Sequence, residues 1–234
     1  MPDVPTQFPE PLEDQAPAGQ VADSTTEPSS TTTRKRPKPG ERRIQILQAL
    51  ASMLEQPGGE RITTAALAAR LDVSEAALYR HFASKAQMFE GLIDFIEQTV
   101  FSLVNQIVER EQAPGGNAGD LGQRQAAKVI ALLVQFAEKN PGMARVMVGD
   151  ALVFENERLQ QRMNQFFDKI EATLKQCLRD GAAASTSATP SVDAQVRAAV
   201  LAAFVSGRLQ RFVRSGYKRL PSEHLDASLR VLLG

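Results

Sequence analysis

Reactive side chains are scarce in this sequence of 234 residues, which holds one cysteine, Cys177, and two histidines, His81 and His224. A single thiol excludes an intramolecular disulfide framework and a cysteine-rich metal site. The histidines lie far apart, and no HExxH, phosphate-loop or dinucleotide-binding glycine pattern occurs. The scattered acids Asp150, Glu155 and Glu157 have no metal-ligand spacing. Catalytic residues, metal ligands and cofactors therefore find no candidates, and Cys177, on an apolar helical stripe, reads as an inert core thiol. The chemistry the chain can offer lies between Thr63 and Lys85. There Ser74, Glu75, Ala76, Tyr79 and Arg80 fall on one side of a short helix, with Thr63, Thr64 and Ser84 at neighbouring helix starts. Such a set suits a nucleic-acid surface. Ala76 permits close approach and can touch a thymine methyl, Arg80 or Glu75 can reach a base edge or a phosphate, and Tyr79 and Lys85 suit phosphates.

Positioning such a set requires a rigid support. The segment TTAALAARLDVSEAALYRH, residues 63–81, reads as two helices of about two turns separated by three residues. Thr63 or Thr64 is the expected cap of the first and Ser74 of the second. Ile62 with Leu67 and Val73 with Leu78 have hydrophobic-staple spacing. Ala68 faces the turn, where a small side chain permits close crossing. Helices this short are marginal alone and persist only when packed, here against a helix at 42–55 carrying Ile44, Leu47, Leu50, Ala51 and Leu54. A helical hairpin inside a bundle with no nucleic-acid role is the alternative.

Charge distribution favours the DNA reading. Lys plus Arg and Asp plus Glu are equal at 27 each, yet residues 1–33 contain acids and no Lys or Arg, while residues 34–43 hold Arg34, Lys35, Arg36, Lys38, Arg42 and Arg43 against Glu41. That local basic excess is what counterion release from DNA requires. Residues 1–40, rich in Pro, Ser and Thr, are expected to be a disordered tail. The expected divisions are that tail, a helix-turn-helix domain at 41–86 and a helical dimerisation and partner-binding domain at 87–234.

Beyond Ser84 the apolar spacing stays helical. Helices are expected at about 85–110, 121–139, 143–154, 156–179 and 191–216, with a last one capped by Ser222; no period-two alternation appears. The expected fold is all-α, and no apolar run approaches the ~20 residues that span a bilayer. Without a basic-then-apolar signal pattern, an intracellular, cytoplasmic protein is expected.

Residues 42–90 resemble the N-terminal domain of the TetR-type transcriptional regulators, above all in Val73–Ser74, Leu78–Tyr79–Arg80–His81–Phe82 and Ser84–Lys85. The resemblance implies a helix at 74–81 in the major groove, with Tyr79 and Lys85 on phosphates. Asp72 stands where that family usually has Gly. Through KNPGMARVMVGDALVFENERLQQRMNQFFDKIEATLKQCLR and GRLQRFVRSGYKRLP, the C-terminal half is similar to the branch of the family that acts in nucleoid occlusion. That similarity implies a homodimer, or paired dimers, on palindromic sites in double-stranded DNA. It implies nucleoid association and FtsZ, the tubulin-like division protein, as partner. It maps the partner surface onto Phe95, Leu132, Gln135, Lys139 and Asn140. From the sequence alone Phe95 is either exposed or fills a gap, Leu132 fits a core position, and Lys139 and Asn140 fit a helix end and cap. Leu103 departs from relatives that place a basic residue there. A repressor released from DNA by a small apolar ligand is the alternative function.

A two-fold DNA target demands a two-fold protein. Ala199, Ala203 and Gly207, flanked by Val196, Val200 and Phe204, form a small-residue stripe on one helix, and Met163, Phe167 and Ile170 a heavier one on another. Together they are the expected dimer interface. Arg208, Arg211, Arg214, Lys218 and Arg219 form a second basic cluster, expected either to pair within the bundle or to face a partner.

Overall fold

The computed structural model describes residues 40–56, 62–110, 118–183 and 188–234. Nearly all of the expected tail, residues 1–39, lies outside them, as do most of the expected 112–120 loop and part of the loop before Pro190. Among the described residues the fold is all-α: α1 Glu41–Leu54, α2 Thr64–Arg70, α3 Glu75–Tyr79, α4 Lys85–Arg110, α5 Ala118–Lys139, α6 Pro141–Met147, α7 Glu157–Ala183, α8 Pro190–Arg214 and α9 Leu225–Leu233.

The first three helices form a head. Helices of seven and five residues cannot hold themselves, so α2 and α3 depend on Leu67, Ala68, Leu78 and Phe82, all buried with Ile46 and Leu50 of α1. Each large side chain so buried contributes about 1.5–3 kcal/mol of transfer free energy. Helix α4 starts in the head with a capping box: the Gln87 amide donates to Ser84 Oγ at 3.2 Å, and the Gln87 side chain accepts from the Ala83 amide at 2.9 Å. It then continues into a body in which α5, α7 and α8 pack against one another, with α4 and α9 alongside.

Head and body meet without a gap. Gly142 of α6 lies so close to α1 that a Cβ there would sit 2.1 Å from the Ala51 carbonyl oxygen. Gly122 plays the same part between α5 and α7, where a Cβ would fall 2.0 Å from the Cys177 oxygen. Cys177 itself is buried.

Three sequence expectations need correction. The helix expected over 143–154 stops at Met147: Gly149 takes φ 79°, and a 3-10 turn at Asp150–Leu152 follows. Ser222 does not cap the last helix; His224, at φ 54°, precedes Leu225, and the Ser222 amide donates to Glu138 instead. Met163 and Ile170 are 1 % and 0 % exposed in the single chain. They belong to the monomer core because α7 turns its heavy stripe inward onto α5 and α8.

Candidate nucleic-acid interface

Local chemistry sets the pose of α3. The Thr63 hydroxyl accepts from the Ala66 amide at 3.1 Å and that of Ser74 from the Ala77 amide at 3.3 Å, capping α2 and α3 as their sequences predict. Between them Asp72 takes φ 53°, the left-handed conformation that favours Gly and that Asp tolerates at modest cost. With Leu78 turned into the head, Ser74, Glu75, Ala76, Tyr79 and Arg80 are exposed, Tyr79 at 45 %. The Arg43 guanidinium lies 4.0 Å above the Phe82 ring and donates to the His81 carbonyl at 2.9 Å, tying the end of α3 to α1. The helix ends at Tyr79, two residues before the His81 that the spacing predicts.

The exposed face is internally ordered. Thr64 Oγ1 donates to Glu75 Oε2 at 2.5 Å, and the Tyr79 hydroxyl lies 3.5 Å from the same Thr64 oxygen. Lys85, at the start of α4, pairs with Glu155 from the segment before α7. That carboxylate's side chain is only 9 % exposed. In the sequence Glu155 is one of several scattered acids; no spacing rule joins it to a lysine 70 positions away. Below this pair, Glu90 binds Arg158, and Arg162 donates to Asp94 at 2.9 Å and Glu97 at 2.7 Å, lacing α4 to α7.

A second set of contacts grips the end of α1. Arg145 of α6 donates to the Leu54 carbonyl at 3.1 Å and pairs with Asp150 at 2.6 Å. The Tyr217 hydroxyl donates to the same carbonyl at 3.3 Å. Tyr217 holds φ 66°, a strained conformation for an aromatic residue, with its ring 5.2 Å from Phe212. Burial pushes its phenol above the usual tyrosine range; Arg145 opposes that shift, while Asp150 and Glu55 add to it.

Of the residues mapped to a partner surface, Lys139 is exposed, and Phe95 and Gln135 are half-buried. Leu132 and Asn140 are corrections. Leu132 is fully buried in the body, and Asn140 is buried with its amide donating to the Phe136 carbonyl at 2.9 Å, so neither presents a side chain to a partner.

The α8 stripe is open. Val192, Val196 and Val200 are 57, 55 and 46 % exposed, Ala203 is exposed, Ala199 and Phe204 are half-buried, and nothing lies within 4 Å of a Cβ placed on Gly207. Phe167, half-buried, packs edge-on against Phe166. Val192 joins the stripe that the sequence marks from Val196 onward, at i, i+4 spacing to Val196 and Val200. Arg208 leaves the basic cluster: it donates to the Pro221 and Glu223 carbonyls and to Ser228 Oγ, bracing the segment before α9 and the first turn of α9 itself.

Fold and interface define a TetR-type DNA-binding regulator, a class without catalytic chemistry. Residues 46–92 match the bacterial regulatory proteins of the tetR family, and residues 124–233 the tetracyclin repressor-like C-terminal domain of the SlmA-like type. The fold is shared with the transcriptional regulator FadR of Bacillus subtilis, solved in complex with stearoyl-CoA, and the fatty acid degradation regulator FadR of Bacillus halodurans. Their TM-scores are 0.62 and 0.61, each at 16 % identity, covering 81 and 86 % of this chain and 97 % of each of theirs. The nucleoid occlusion factor SlmA of Idiomarina loihiensis is 49 % identical over 191 residues, 82 % of this chain and 93 % of the relative; that of Vibrio cholerae is 50 % identical over 186 residues, 79 and 90 %. The chain belongs to the SlmA family.

Proposed function

We propose that this protein binds palindromic chromosomal sites as a homodimer and, once bound, antagonises assembly of the FtsZ division ring over the nucleoid. The observation that carries this reading is identity of about half, over nearly the whole length of relatives named nucleoid occlusion factors. An exposed α3 beside Tyr79, Arg80 and Lys85 supports the DNA role. Thr63, Thr64, Ser74, Glu75 and Ala76 complete that face. The open α8 stripe from Val192 to Gly207 supplies the dimer contact, with Phe167 at its margin. Phe95, Gln135 and Lys139, on α4 and α5, are the proposed contact for FtsZ. The head at 41–86 and the body from 87 onward then serve as reader and effector.

A ligand-released repressor is not favoured. The stripes of α5 and α7 bury Val129, Ile130, Leu133, Phe136, Met163, Phe166 and Ile170. Every buried side-chain polar atom among the described residues has a partner. A ligand site would need a few polar groups left to orient its occupant.

Co-sedimentation with FtsZ polymers, with and without bound DNA, tests the reading. Wild-type protein on its DNA site is expected to reduce the polymer pellet. Phe95→Asp is expected to keep DNA affinity and lose that effect. A folded Phe95→Asp protein that still depletes the pellet removes Phe95 from the contact, and a wild-type complex without effect overturns the proposal.

A further inference from the structure

We infer that Glu75 is a specificity-determining residue, accepting a hydrogen bond from the exocyclic amine of a cytosine in each half-site. The inference rests on the DNA-binding reading above. Glu75 is the first residue of α3 and is exposed next to Ala76. In helix-turn-helix proteins the N-terminal residues of the recognition helix face base edges. An acid at that place opposes every phosphate, so it weakens general DNA affinity; what it contributes is selection.

The chemistry of the carboxylate narrows what is selected. Ionised, it has acceptors only. In the major groove guanine offers N7 and O6 and thymine offers O4, all acceptors; adenine offers an N6 amine, but beside the N7 acceptor that a carboxylate opposes; cytosine offers its N4 amine with no acceptor beside it and pairs with Glu or Asp. Guanine and thymine at that step are therefore repelled, and cytosine is matched.

Geometry makes the selection sharp. Glu75 Oε2 accepts from Thr64 Oγ1 at 2.5 Å, and Tyr79 approaches the same hydroxyl at 3.5 Å. The carboxylate is thus held by the first residue of α2 before DNA arrives, with its second oxygen left for a base. A side chain restrained by such a hydrogen bond loses less freedom on binding, and leaving it to follow a misplaced amine costs that bond. Thr64 is a positioning residue in this scheme: its single proton is engaged by Glu75.

The test begins by selecting duplexes from a randomised pool with the wild-type protein, then measures anisotropy on the recovered duplex, its single-base variants and an unrelated duplex. Wild type should lose about tenfold or more when one symmetric C·G pair is changed to T·A. Glu75→Gln should shift the preference at that pair toward adenine, the base that glutamine matches, and Glu75→Ala should abolish preference there. Both should keep or raise affinity for the unrelated duplex without lowering the salt slope. Thr64→Val should weaken discrimination at that pair more than at any other position. Identical base preference at every position in wild type, Glu75→Gln and Glu75→Ala overturns the inference and leaves the DNA reading standing. Recovery of no preferred duplex by the wild type overturns both.

Discussion

Lys85 pairs with Glu155 and is proposed to contact a DNA phosphate, and replacing it separates the two roles. Its ammonium is paired with a Glu155 carboxylate whose side chain is 9 % exposed, while the lysine side chain retains 20 %. Removing the ammonium leaves a nearly buried carboxylate without its cation, which costs about 3 kcal/mol. Lys85→Met should therefore lower the stability read from urea unfolding by that amount. Adding Glu155→Gln removes the orphaned charge, and the double variant should return to within about 1 kcal/mol of wild type. DNA binding should not be rescued with it. Each phosphate neutralised contributes about 0.9 to the slope of log affinity against log salt, so two copies of Lys85 in a dimer contribute about 1.8. The single and double variants should both lose that slope, uniformly across sequences. Glu155→Gln alone should tighten binding, because the lysine then faces phosphate without an internal competitor. A double variant with restored stability and the full wild-type slope refutes the reasoning: it places the charge of Lys85 wholly on Glu155 and none of it on DNA.

Val196→Asp with Val200→Asp should yield a folded monomer by analytical ultracentrifugation and lose affinity for a palindromic duplex, since both side chains are about half exposed in the single chain and lie outside its core. Gly142→Ala places a methyl 2.1 Å from the Ala51 carbonyl oxygen, a backbone atom that cannot move aside cheaply, and should cost about 2–3 kcal/mol in urea unfolding. Tyr217→Phe removes a hydrogen bond to the Leu54 carbonyl and should cost about 1 kcal/mol near neutral pH. Because burial raises the folded phenol's pKa, the unfolded chain loses its proton first, near pH ~10. Wild-type stability should accordingly fall as pH rises through that point, and the fall should be smaller in Tyr217→Phe.

The head was legible because its signals are local. A cap, its staple and the short turn at Leu71–Val73 lie within a few residues of one another, so Thr63, Ser74 and the outward set Glu75, Ala76, Tyr79 and Arg80 follow from spacing alone. What spacing cannot show is which of two apolar stripes faces inward. Helices α7 and α8 both carry one, but the heavy stripe of α7 buries Met163 and Ile170 within the chain, while the lighter valine and alanine stripe of α8 stays open. Bulk favours the core, where each extra methylene is removed from water once and permanently; small residues suit a face that a second helix must approach. Contacts across the fold were illegible for a different reason. Glu155 with Lys85 and Tyr217 with Leu54 join residues 70 and 163 positions apart, and only the assembled helices bring them together.

Those long-range contacts bear on how the molecule works. A repressor that leaves DNA when a ligand binds needs a head that swings on its body. Here α1 ends under two donors from the body, Arg145 and Tyr217, on one carbonyl. The backbone of α1 touches α6 at Gly142, and α4, which begins in the head, is tied to the body from Lys85 through Glu90 to Glu97. Swinging the head would break several of these at once, each leaving a polar group or a nearly buried charge without its partner. Output at the surface of the body, with the head held in one pose on DNA, asks for no such motion. The bracing of head to body therefore favours a DNA-bound antagonist over a ligand-operated switch, independently of the family to which the chain belongs.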